Sequence, residues 1–168
     1  MGKNRNEKKR AGRMYGTVAM KLYIDGDALP NLLKPIFLKQ INKHKIETYC
    51  FSNKRITIGK SPYLHYEIVQ AGADEADNAI VEAIEEGDLV ITADIPLADR
   101  VITKNAHAID HRGELYSKDN IKQYLDMRNL MESIRETGEI TKGPKPFTQK
   151  DAEAFANQFN AFLQKILF

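Results

Sequence analysis

Apolar positions along the chain fall into two rhythms, and these rhythms divide the chain into elements. Short runs with the length and residue types of strands occur at Lys21 to Asp25, at "IETYCF" (46–51), at "YEIV" (66–69), at "LVIT" (89–92) and at "AHAI" (106–109). Between and after them the apolar residues recur at three and four positions, the spacing of a helix with one buried face. Leu32, Leu33, Ile36, Phe37 and Ile41 predict a helix within 31–43, with Pro35 tolerable only near its first turns. Ala76, Ile80, Ala83 and Ile84 predict a second helix, with Gly87 as its C-terminal stop. Pro96 opens a third, running to about Lys104, and Ser117 caps a fourth, running to about Thr137. Thr148 caps the last, whose Phe155, Phe159, Phe162, Leu163 and Ile166 form a stripe expected to pack as core. Residues 52–63 and the Gly/Pro-rich "TGEITKGPKPF", with Lys142 and Lys145, read as loops. Strands alternating with helices predict an α/β fold, a three-layer domain with a mainly parallel central sheet. The near-continuous "LVIT" run belongs at the centre of that sheet, covered on both faces.

Composition narrows the class without naming a function. At 168 residues the chain is long enough for one domain with a real core. No apolar run approaches the roughly 20 residues that span a bilayer, and the basic start lacks the apolar segment of a signal peptide. A cytoplasmic protein without a membrane partner is the expectation. Cys50 is the only cysteine, which rules out an internal disulfide and a Cys-based zinc site. The net charge of +2 is unevenly placed: residues 1–19 carry six Lys and Arg against Glu7, leaving −3 on the remainder. Residues 1–19 therefore read as a basic, disordered extension, and 20–168 as the domain. An acidic body of this kind does not suit a passive, charge-driven nucleic-acid binder.

The chemistry lies in where the acids fall. "LYIDGDALP" ends a strand on Asp25 and Asp27, "LVIT" is followed by Asp94 and, one turn on, Asp99, and Asp74 and Asp77 open a helix after another strand. Parallel sheets gather functional groups beyond the carboxyl ends of their strands, so these acids are expected to converge. Asp74 and Asp77, three apart, share a helix face. Each acid also has a structural reading: Asp74 and Asp94 as helix caps, Asp27 as a turn residue, Asp99 as a solvated helix position. Asp25 has none so simple. Carboxylates about 5 Å apart repel by roughly 3 kcal/mol per pair at an effective dielectric near 20, so a cluster calls for protons, arginines or a divalent cation. Oxygen donors without cysteine or paired histidine favour Mg²⁺ or Mn²⁺.

The segments "YIDGDALP", "AGADEADNAIVEAIEEGDLVITADIPLADRVI", "HRGELY", "MRNLMESIRETG" and "GPKPFTQKDAEAFANQF" closely resemble the YaiI/YqxD family of uncharacterised bacterial proteins, over almost all of residues 20–168. The resemblance implies a PIN-like fold, whose members are typically metal-dependent ribonucleases. "TADIPLA" (92–98) is similar to the PIN-type pattern of Thr, Asp and a small residue after the fourth strand. By position it implies Asp25, Asp94 and Asp77 or Asp74 as acidic ligands, with Asp99 as a fourth. Gly26 and Leu29 stand where the family usually has Ala and Cys, which removes a thiol mechanism and leaves the carboxylates.

The leading expectation is a Mg²⁺- or Mn²⁺-dependent phosphodiesterase acting on nucleic acid, with RNA the expected substrate. Asp25, Asp77 and Asp94 are its catalytic acids, and Asp27, Asp74 and Asp99 complete the metal-ligand candidates. Thr92, Arg55, Lys60, Arg112 and Arg128 are the substrate contacts, Arg112 foremost because "HRGELY" follows a strand end. Two alternatives stand beside it. One is a haloacid-dehalogenase-type phosphatase with Asp25 as nucleophile, Asp27 as general acid, and Thr92 and Lys104 on phosphate. The other is a non-catalytic module binding nucleic acid or protein.

Overall fold

The structure, a computed structural model, describes residues 20–72, 74–139 and 145–167. The basic extension expected at 1–19 and the middle of the loop at 140–144, including Lys142, lie outside the described residues.

Six strands form one sheet in the order β3-β2-β1-β4-β5-β6. They are β1 (Leu22–Asp25), β2 (Thr48–Ser52), β3 (Leu64–Ile68), β4 (Leu89–Ile91), β5 (His107–Ile109) and β6 (Leu115–Tyr116). β1 to β5 pair in parallel, and β6 returns antiparallel to β5. Among the described residues five α-helices flank the sheet: α1 (Lys34–His44), α2 (Glu75–Ala83), α3 (Ile95–Thr103), α4 (Ile121–Glu136) and α5 (Gln149–Leu167). Successive side chains of a strand point to opposite faces, and β1 shows this directly. Leu22 and Ile24 join Phe37 and Ile41 of α1 and Phe155 and Phe159 of α5 in one core cluster. Tyr23 joins Ile80 of α2, Leu97 and Val101 of α3, and Ile121 of α4 in the other. The result is a three-layer α/β/α sandwich, with "LVIT" buried at its centre as expected.

The aromatic stripe of α5 packs as core: Phe155 and Phe159 stack at 5.3 Å between centroids, and both meet Phe37 edge-on at 5.2 and 5.7 Å. Thr148 caps α5 reciprocally with Asp151, each backbone N–H donating to the other's side chain. Leu32 precedes α1 in a 3-10 turn (Asn31–Leu33) and stays 42% exposed, because that turn interrupts the helical register.

Other boundaries differ from the pattern for definable reasons. α2 stops at Ala83, four residues short of Gly87, because Ile84 turns extended to enter the core and leaves Ala83 exposed. Asp88 then holds this turn, accepting from Glu85 N and, across the sheet, from Lys21 N. α4 begins at Ile121; Ser117 and Asn120 instead close a turn on each other just ahead of it. β6 was not anticipated, since two residues carry no readable period.

Candidate functional site

The strand order reverses direction between β1 and β4, and in open parallel sheets that switch point opens a crevice beyond the strands' carboxyl ends. Asp25 ends β1 there, and Thr92 to Asp94 leave β4 beside it. A cleft of about 320 Å³ at this point is lined by Asp25, Asp27, Asp74, Asp77, Asp94 and His111, with Ala28 and Ala93 between them. Among the described residues no lysine or arginine lines it. Two lining residues, Ala28 (φ 62°) and Asp74 (φ 66°), sit in left-handed backbone, a strain of order 1–3 kcal/mol that tends to gather at functional sites.

Each acid is held differently. Asp25 is 8% exposed; its Oδ2 accepts from the Thr92 hydroxyl at 2.9 Å and its Oδ1 from Asp27 N at 3.4 Å. Thr92 Oγ1 in turn accepts from Asp94 N at 3.0 Å, so one buried hydroxyl ties the ends of β1 and β4 together. Asp27 is half-buried and its Oδ1 accepts from Asn53 N at 3.0 Å. Asp94 does cap α3: its Oδ1 accepts from Leu97 N at 3.0 Å. Asp77 stands in the first turn of α2, with the Asp94 carboxylate beside it. Asp74 precedes α2 but makes no capping bond there, because its left-handed backbone turns it away.

Crowding leaves its mark on protonation. Burial, with the charges of Asp27 and Asp94 behind it, lifts the Asp25 carboxyl to about 6 against the lowering hydrogen bonds of Thr92 and Asp27. Burial first, then the carboxylates of Asp94, Asp25 and Asp74, lift Asp77 to about 7. Near neutrality the Asp77 carboxyl is therefore partly protonated. Among the described residues no three His, Cys, Asp or Glu side chains are drawn together tightly enough to enclose an ion. An all-oxygen acidic wall of this kind matches a cation that takes one or two carboxylates and keeps several waters, which is the habit of Mg²⁺.

The remaining residues picked from the sequence lie elsewhere. Asp99, half-buried one turn into α3, is not part of the cleft wall. Thr92 is fully buried and committed to Asp25, so it positions an acid and does not face a substrate. Arg112 is a strut: it binds Asp151, donates to Lys145 O at 2.7 Å and lies over the Phe147 ring, fastening the turn after β5 to the start of α5. Arg128 pairs with Glu132 along α4, and Lys60 is exposed away from the acids. Arg55 lines a separate apolar cleft with Ile56, Tyr66 and Ile68. Lys104 donates to Val81 O and Ile84 O at the end of α2, so the phosphatase alternative loses its phosphate-binding lysine.

The sequence reading missed His111. Its place two residues after an apolar strand is the signal the sequence carries for it. Cys50 is buried beside Gly26, its thiol pushed up to about 12 by burial and the nearby Asp25 and Asp27 charges, which leaves it inert as a nucleophile.

The double duty of Asp94 can be separated by experiment. In the absence of divalent cation Asp94→Ala is expected to cost about 0.5–2 kcal/mol in urea unfolding, since the cap of α3 is lost. Asp94→Asn keeps the cap oxygen and is expected to cost only a few tenths. Equal losses in the two variants would contradict the capping role.

A family profile described as "Uncharacterized BCR, YaiI/YqxD family" matches residues 23–165. A "UPF0178 protein" of Sulfurimonas denitrificans is 70% identical over 87% of this chain and 97% of that protein. One of Sulfurovum sp. is 66% identical over 87% of this chain and 99% of that protein. One of Syntrophotalea carbinolica is 45% identical over the same shares. No solved structure matches the chain.

Proposed function

The chain belongs to the YaiI/YqxD family of uncharacterised proteins, and we propose that it is a PIN-like, Mg²⁺- or Mn²⁺-dependent phosphodiesterase that cleaves RNA. The observation carrying this reading is the cleft at the sheet's switch point into which five carboxylates face, with no lysine or arginine among the described lining residues, two of the acids held at about 6 and about 7. Asp25, Asp77 and Asp94 are the residues that would hold the cation, one or two of them directly and the rest through its waters, with Asp27 and Asp74 also lining the cleft. A bound Mg²⁺ or Mn²⁺ supplies charge neutralisation for the phosphodiester and a lowered pKa for coordinated water. The chain's own part is to fix those acids. The Thr92 hydroxyl locks Asp25, the α3 cap locks Asp94, and the first turn of α2 presents Asp77.

The test is a cleavage assay on a labelled single-stranded oligoribonucleotide with Mg²⁺, Mn²⁺ or EDTA, alongside calorimetric Mn²⁺ titration. Wild type is expected to bind Mn²⁺ and cut only with metal, and Asp25→Asn to lose both by at least two orders of magnitude. Metal binding and RNA binding without turnover would leave a binding module in place of an enzyme. Unchanged cleavage in Asp25→Asn would remove the site altogether.

A further inference from the structure

His111 is an anomaly inside the acidic cleft. The residue is 7% exposed, it lines the cleft, and its Nε2 is buried without any hydrogen-bond partner, the one such side-chain atom among the described residues. Buried polar atoms are nearly always paired, and leaving one unpaired costs about 1–3 kcal/mol, so an orphan beside a cleft marks a partner that arrives from outside the chain. The turn that carries it is held in place. Asp110 Oδ1 accepts from Arg112 N at 2.9 Å and from Glu114 N at 2.8 Å, closing the turn that carries His111. Gly113 sets that turn directly on the backbone of α5, and Arg112 rivets it to Asp151.

We infer that His111 is the hydrogen-bond donor for a non-bridging phosphoryl oxygen of the substrate, an inference that rests on the phosphodiesterase reading above. The reasoning is one of elimination within the cleft. With its carboxylates ionised, every lining side chain among the described residues other than His111 is an acceptor or an alanine. A phosphodiester brought to that wall needs an N–H, and an uncharged one does not compete with a cation for the acids. Burial and the neighbouring Arg112 charge hold the imidazole down at about 4, so the ring is neutral at ordinary pH. As the ring stands Nε2 is closed off from solvent, and the inference has the ring turn about its Cβ–Cγ bond when the phosphodiester enters, bringing Nε2 to the cleft the residue lines.

The experiment uses full-length protein with ¹⁵N-labelled histidine and, as probe, a phosphorothioate single-stranded oligoribonucleotide in Mg²⁺. Four imidazoles report, those of His44, His65, His107 and His111, and the signal missing in His111→Gln identifies the last. On adding the probe the His111 nitrogen signal is expected to shift while the other three hold still. His111→Ala is expected to weaken probe binding and raise KM about tenfold or more. His111→Gln, whose amide N–H falls near the place of Nε2–H, should recover most of that loss, and Mn²⁺ affinity should match wild type in both. An unmoved His111 signal, or wild-type probe affinity in His111→Ala, overturns the inference while metal-dependent cleavage by wild type keeps the phosphodiesterase reading intact. A fall in Mn²⁺ affinity in both variants also overturns it, making His111 a cation ligand. A wild type that binds neither Mn²⁺ nor the probe overturns both. If His111→Ala melts far below wild type, the His111→Gln variant and the wild-type nitrogen signal decide the matter.

Discussion

At pH 8 and without divalent metal, Asp77→Asn melts above wild type by roughly 3–8 °C, about 1–2 kcal/mol at this chain length, and the gain vanishes near pH 5. The sign follows from linkage. Burial and neighbouring carboxylates raise Asp77 from 3.8 to about 7 and Asp25 from 3.8 to about 6. A carboxyl raised in the folded state gives its full stabilisation below the unfolded value and loses it as pH climbs through the folded one. The metal-free protein is therefore most stable towards pH 4–5 and weakens progressively up to about pH 8. Two units on buried Asp25 correspond to about 3 kcal/mol at about 1.4 kcal/mol per unit, while half-exposed Asp77 is screened and contributes less than its larger shift suggests. Asparagine at 77 removes the charge and keeps a donor for Asp94. Mn²⁺ reverses the ranking: at a hundred times its dissociation constant it stabilises wild type by about 2.7 kcal/mol, and both Asp77→Asn and Asp25→Asn are expected to lose most of that. Melting curves of the three proteins at pH 5 and 8, with and without Mn²⁺, check every part. Equal Mn²⁺ stabilisation in all three would remove the cation from the cleft.

Gly113→Ala is expected to cost about 3–5 kcal/mol and to lower RNA affinity in whatever fraction still folds. Gly113 has φ +91°, a conformation costing a side chain about 1–3 kcal/mol. An added Cβ would also stand 2.6 Å from Ala154 O and 2.8 Å from its carbonyl carbon, which belong to α5 and cannot yield without moving the stripe of Phe155 and Phe159. Forcing atoms into such packing costs about 1–3 kcal/mol more. Gly138→Ala supplies the control. It has φ +76° with nothing within 4 Å of the added carbon, so only the backbone cost, about 1 kcal/mol, is expected. Urea unfolding of the two variants separates strain from collision, and equal losses would show that the turn does not press on α5.

The sequence by itself determined the alternation of strands and helices, the central place of "LVIT" and the core face of the last helix. Those features are set by residue period and burial, which repeat locally and can be read without knowing what lies opposite. It also determined that acids follow β1 and β4 and open α2, because the rule for parallel sheets assigns one edge to all strand ends. Tertiary structure alone decided what each group faces. Thr92 and Arg112 carry the right chemistry for a substrate, yet a 2.9 Å bond to Asp25 and an ion pair to Asp151 commit them to the protein itself. Asp99 lies one turn too far along α3, whereas Asp74, with no capping bond, reaches the cleft through a left-handed residue that no period announces. His111 is unremarkable in sequence and conspicuous in the fold. An unpaired buried nitrogen is defined by its neighbours' positions, and partners such as Asp151 and Lys145 stand 39 and 33 residues from the adjoining Arg112. Pairing across such distances depends on how layers stack, and local pattern carries no record of it.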